Sequence, residues 1–216
     1  MNVVHNLIDS IRASRATRLV ILTSVAVQVA FVTAHGINKQ LLGDGLFLAL
    51  DTDPNLPSWT TSAVFLLAGV ACGLLAWLWP DLRGLLIALA AITLFVSLEQ
   101  TAQLHSRLER AVADPGASLI QAGIGLCFAA VMAATALRLR GMARMLMAGA
   151  LLAAAISFGA SALNRAFDLP YALLIACQTI EELGEMTTAT LILAAVVQPL
   201  VDAIFRRVEA SRAHTV

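Results

Sequence analysis

Apolar residues run through this chain in six long stretches separated by short polar segments. The stretches occupy residues 18–36, 58–79, 83–98, 117–137, 142–163 and 171–197. Each one, alone or with its polar continuation, reaches the roughly 20 helical residues needed to cross a hydrocarbon core about 30 Å thick. The runs are continuous and lack the alternation of period two that a barrel strand requires, so the pattern predicts helices. The expected fold is therefore all-α, an integral membrane bundle of six transmembrane helices. Residues 1–17 are expected as a cytoplasmic N-terminal segment, 18–200 as the six-helix transmembrane domain and 201–216 as a cytoplasmic C-terminal tail. Pro80 closes the second stretch, Pro170 precedes the sixth, and the sixth is expected to end at Pro199.

Composition strengthens this reading. The chain has 216 residues, 59% hydrophobic and 13% charged, where a soluble domain carries about a quarter charged residues. Its mean hydropathy is +0.83. Formal net charge is zero and no basic block occurs, which excludes nucleic acid as an expected partner. The lipid bilayer is the expected one. The first stretch is too long for a signal-peptide core and no small-residue cleavage site follows it, so cleavage is not expected.

Charge also orients the bundle. With the N-terminus inside, Arg12, Arg15, Arg18, Arg83, Arg138, Arg140, Arg144, Arg206, Arg207 and Arg212 are cytoplasmic, and only Lys39, Arg107, Arg110 and Arg165 are outside. This asymmetry predicts an N-in/C-in protein. An Ala- and Leu-rich, Lys-poor composition of the kind common in GC-rich bacteria points to a bacterial cytoplasmic (inner) membrane. The turns near 80–83 and 138–142 are short, so the helices they join should pack as antiparallel neighbours. Trp59, Trp77 and Trp79 stand at span ends, where interface anchors belong. Gly69 and Gly73 form a GxxxG, read as a close helix contact with dimerisation as the alternative. The three cysteines, Cys72, Cys127 and Cys177, lie in apolar runs without CxxC spacing and are expected to serve as small packing residues.

The sixth stretch carries the candidate chemistry. Gln178, Glu181, Glu182 and Glu185 fall within an arc of about 100° on a helix, and Glu181 lies roughly 16 Å along the axis from Pro170. A single carboxylate at the centre of a span costs about 2.5–3.5 kcal/mol to insert, and neighbouring anions repel. The stripe should therefore face the bundle interior, partly protonated or neutralised by a cation. No Lys or Arg occurs inside the spans. Glu99, Gln103 and His105 at the polar end of the third stretch are the natural partners, with Glu99 and Gln103 on one face and His105 about 120° away from Glu99. His35 closes the first stretch at the same level and is expected to meet solvent there. Gln28 and Gln121 add further polar groups. The candidate metal- or proton-binding residues are thus Glu99, His105, Glu181, Glu182 and Glu185, with His35, Gln103 and Gln178 in support. A divalent metal ion is the cofactor they would suit, and a polar pocket open to the outer face is expected.

Three segments carry a resemblance. Asp51-Thr-Asp53-Pro-Asn55-Leu-Pro57-Ser-Trp59, Glu99-Gln100 with His105-Ser106, and Glu181-Glu182-Leu-Gly-Glu185-Met-Thr-Thr188 are similar to the motifs of an uncharacterised family of bacterial six-helix polytopic membrane proteins. The motifs of that family are an acidic loop before span two, Asp/Glu-Glu-x4-His in span three and Glu-Glu-x-x-Glu in the last span. Gln100, Ser106 and Thr188 depart from the pattern. The resemblance implies a fold and a site, and no reaction.

Three functions compete. A small transporter- or channel-like protein would use the stripe to bind protons or a cation. A metal-dependent intramembrane enzyme on a lipid-type substrate would use His and Glu to activate water. A structural or accessory subunit would dock the polar stripe on a membrane partner, or on a second copy as a homo-oligomer.

Overall fold

A computed structural model describes residues 2–37, 56–102 and 116–213. Six helices fill them: α1 (Asn2–Ile37), α2 (Leu56–Leu78), α3 (Arg83–Ala102), α4 (Gly116–Arg138), α5 (Gly141–Ala166) and α6 (Tyr171–Ala213). A single 3-10 turn, Pro80–Leu82, joins α2 to α3. All six are long and apolar enough to cross a membrane; their bounds follow the apolar stretches to within a few residues, except that α1 begins at Asn2, well before residue 18, and α6 runs on to Ala213.

α6 is the hub. It packs against α5, α2 and α1, while α2 packs on α3 and α4 bridges α5 and α3. The pairings are antiparallel wherever turns are short. Gly69 of α2 lies against Leu94 and Thr93 of α3, and Gly184 of α6 lies against Ser157 of α5. The α4–α5 turn passes through Gly141 at φ 57°, a left-handed conformation that glycine adopts without a Cβ clash.

Two expectations change. α6 does not end at Pro199; it continues through that residue to Ala213. A proline removes one backbone donor and crowds the preceding turn. Here Val196 before it is fully buried and Leu200 after it packs on the same core, so side-chain burial on both sides carries the helix through. The second change concerns Cys127, which is exposed, while Cys72 is buried and Cys177 lies between; all three are free thiols. Only Cys72 is a core packing residue.

The interior is graded along its axis. Leu75 and Ala76 of α2, Leu86 and Leu89 of α3, Met132 of α4 and Leu139 just after it, Met147 of α5 and Val196 of α6 belong to one buried cluster. They come from the helix halves nearest Arg83, Arg138, Arg140, Arg144, Arg206 and Arg207. The buried hydroxyls Ser58, Thr61, Ser62, Ser97 and Ser157 lie toward the opposite end. Among the described residues the interior is thus more apolar beside the arginines, where Thr17 and Thr135 are the buried hydroxyls, and more polar away from them. Outward faces such as those of Leu22, Leu67, Leu126 and Leu152 remain exposed, as lipid-facing residues must.

Close approach at two glycines sets the packing. A Cβ on Gly184 would sit 2.7 Å from the Ser157 Cβ and 3.1 Å from the Ala153 carbonyl oxygen, whereas a Cβ on Gly73 would meet nothing within 4 Å. Gly184→Ala should therefore destabilise the bundle by about 1–3 kcal/mol through overpacking. Gly73→Ala should leave it unchanged. Unfolding of the detergent-solubilised variants, followed by circular dichroism, checks both.

Candidate functional site

The stripe on α6 forms as the helical spacing requires. Gln178, Glu181, Glu182 and Glu185 are all half-buried. Two of them have defined contacts to neighbouring helices. Glu185 accepts a hydrogen bond from the Gln100 side-chain amide of α3, which joins residues 85 positions apart in the chain. The Glu181 backbone carbonyl accepts from the Ser157 hydroxyl of α5 at 3.0 Å. Gly184 lies within the stripe, and its missing side chain lets Ser157 come close enough for that bond. One turn on, Thr188 donates to the Gly184 carbonyl at 2.7 Å.

α1 attaches to the same helix through polar groups. Thr187 donates to Gln28 Oε1 at 3.2 Å, Gln28 Nε2 donates to Ser24 Oγ at 3.2 Å, and the hydroxyls of Ser24 and Thr190 are hydrogen-bonded. α2 and α3 have their own ladder. Ser62 donates to the Ser97 carbonyl at 2.7 Å and Ser97 donates to the Ser62 carbonyl at 2.9 Å. Thr101 lies 2.7 Å from the Ser62 hydroxyl, one residue beyond Gln100. Hydroxyl and amide groups of α1, α2, α3 and α5 thus line the level at which α6 presents its carboxylates. Farther along the stripe side, Arg165 of α5 donates to Gln121 of α4 at 2.6 Å.

The other candidates fall as follows. Glu99 is half-buried on α3, about 100° around the helix from Gln100. Its neighbour Gln100 donates to Glu185 of the stripe. His35 is only 6% exposed, so the expectation of a solvated interfacial histidine is corrected: the last turn of α1 lies against protein and buries the ring. His105 and Gln103 lie outside the described residues, as does most of the acidic loop, 51–55. Among the described residues, no three His, Cys, Asp or Glu side chains converge as a metal-holding group. A cation here would draw on carboxylate, amide and hydroxyl oxygens, the donors that suit hard ions.

Sequence reasoning did not single out Ser24, Ser62, Ser97, Thr101, Ser157, Thr187 or Thr190. The signal was present in their spacing. Ser97 and Thr101, Ser24 and Gln28, and Gly184 and Thr188 each stand four apart inside apolar runs, which puts small or polar groups on one helix face.

The architecture defines an all-α, membrane-embedded bundle with a polar layer centred on its last helix. Residues 16–198 match the family described as a domain of unknown function, DUF8692, and the chain belongs to that family. Neither a curated protein nor a solved structure matches it.

The α1 contacts yield a prediction. Hydrogen bonds between membrane helices average about 0.6 kcal/mol and reach about 1.7. A double-mutant cycle over Ser24→Ala and Thr190→Val should return a coupling in that range. A coupling of zero would show that the Ser24–Thr190 bond contributes nothing to holding α1.

Proposed function

We propose that the α6 stripe binds protons or a cation that enters from the end of the bundle opposite the arginines, in a small transporter- or channel-like protein. The observation that carries this reading is Glu185 held against the Gln100 amide inside the bundle, on a helix that also places Glu181 and Glu182 half-buried within one turn. Positions 171–205 of α6 and 84–102 of α3 contain no Lys or Arg, so neither helix supplies a cationic side chain at this depth. Protons or a bound cation are then the cheapest way to hold the carboxylates in a low-dielectric layer. The amide donor on Gln100 can hydrogen-bond Glu185 as a carboxylate or as an acid, since either form offers an acceptor oxygen.

The chain reads as a bacterial inner-membrane protein with both termini in the cytoplasm. The support is the crowding of Arg15, Arg18, Arg83, Arg138, Arg140, Arg144, Arg206, Arg207 and Arg212 at one end of the bundle. A reporter that fluoresces only in the cytoplasm should light up when fused after Val216. A dark fusion would reverse the orientation.

A structural reading draws on the same contacts, because the Ser157, Gln28 and Gln100 bonds also tie helices together. Binding separates the two. Purified protein should be compared with Glu182→Gln and Glu185→Gln by elemental analysis and by proton uptake after reconstitution into liposomes. A stoichiometric ion or a proton flux, reduced at least about tenfold by either variant, supports the binding reading. Equal behaviour of all three proteins, with a lowered unfolding temperature in the variants, would leave the stripe as glue between helices.

A further inference from the structure

We infer that the bundle holds an anionic glycerophospholipid of the surrounding bilayer in a groove between α2 and α6, at the arginine-rich end away from the carboxylates. The groove has a volume of about 350 Å³. Leu74 and Leu78 of α2 face Leu200, Ile204 and Val208 of α6 across it. Several of these side chains are open to the outside: Leu74 is 49% exposed, Ile204 45% and Val208 44%. Helix α6 makes the groove by running past Pro199. Its 43 residues span about 64 Å at 1.5 Å each, roughly twice the hydrocarbon thickness. The added turns extend the apolar wall and bring a cation to its end.

That cation is Arg207. Its guanidinium carbon lies 4.6 Å from the centre of the Trp77 ring, and Trp77 is 64% exposed at the end of α2, where a tryptophan marks the membrane–water interface. A cation–π contact of this kind uses none of the guanidinium N–H donors, and a guanidinium can take a phosphate in two parallel hydrogen bonds. Ser211, one turn on, completes this end of the groove.

The charge pattern selects the occupant. Measured around the helix from Leu200, the groove residues Ile204, Arg207, Val208 and Ser211 fall between about −20° and +80°. The acids of this segment, Asp202 and Glu209, fall at about 180–200°, on the far side. Arg206 and Arg212 stand on the flanks at about 120° to either side. The groove thus presents an apolar trough, an aromatic at interface depth and a positive end with its acids turned away. An acyl chain fits the trough and a phosphate without a compensating ammonium fits the end. Basic pockets between membrane helices bind anionic lipid headgroups by this combination. A second copy of the chain or a soluble partner would have to displace lipid from Leu74 and Trp77 and would leave Arg207 without an anion.

Trp77 reports on its own site. With Trp59→Phe and Trp79→Phe it becomes the single tryptophan. Reconstituted into phosphatidylcholine bilayers, this protein should be quenched more by brominated phosphatidylglycerol than by the same fraction of brominated phosphatidylcholine. One arginine near the surface favours the anionic lipid by about fivefold. Arg207→Gln should abolish the excess, Arg207→Lys should keep part of it, and high salt should reduce it. Equal quenching by the two lipids would overturn the proposal, as would an excess that survives Arg207→Gln. No quenching by either lipid would overturn it too, by showing the groove covered by protein. Native mass spectrometry of the chain with its three tryptophans supplies an independent count. Retained phosphatidylglycerol that disappears in Arg207→Gln supports the site, and equal retention counts against it.

Discussion

A carboxylate placed at membrane depth dictates the company its helix keeps. α6 carries three within five residues, and no helix so charged is stable with lipid on all sides. The fold answers by surrounding it. α5, α2 and α1 pack directly on α6, and α3 reaches Glu185 through Gln100. The polar groups that bond it from other helices are short hydroxyls and amides, and a glycine of its own lets one of them approach its backbone. Gly184 shows the economy of this arrangement. Its missing Cβ lets Ser157 approach, and Ser157 then bonds the carbonyl one turn back.

The fold was legible in the sequence almost completely, because bilayer thickness and backbone satisfaction leave few choices. A run of about 20 apolar residues reads as one span whatever its neighbours. The exception was Pro199. A proline is a strong local stop signal, yet the helix goes on because Val196 and Leu200 bury on either side of it. Burial is a tertiary quantity, and no local pattern reveals it.

The site was legible only in part. Helical spacing gave the stripe from Gln178 to Glu185, since four residues on one helix need no knowledge of other helices. The partners on other helices did not follow. On α3 charge drew attention to Glu99, and the bond that its neighbour Gln100 donates to Glu185 was not foreseen, because one position around a helix is a turn of about 100° and pairing across helices depends on packing. His35 was expected at a wet interface and is buried, because an end-of-span position fixes depth and says nothing about which neighbour covers the ring. The serine and threonine ladder escaped notice for a different reason. A hydroxyl in an apolar run can bond its own helix, as Thr93 and Thr135 do, and only the packed structure tells it from one that bonds across.

The axial split of the interior has an electrical meaning. The half beside the arginines is packed mainly with Leu, Met, Ile, Val and Ala side chains from five helices, and Thr135, buried there, bonds its own helix. Such a layer is the insulator of the molecule. A voltage across the bilayer drops mainly over the region of lowest polarisability, so most of the field falls between the stripe and the arginine-rich end. On the proposed binding reading, an ion that reaches Glu185 from the polar end would cross little of that field, and its binding would be nearly indifferent to voltage. Passage onward would require the ion to cross nearly all of it, with the packed half opened. The bundle would then have the electrical form of a well closed on one side, in which loading and release are governed by different forces.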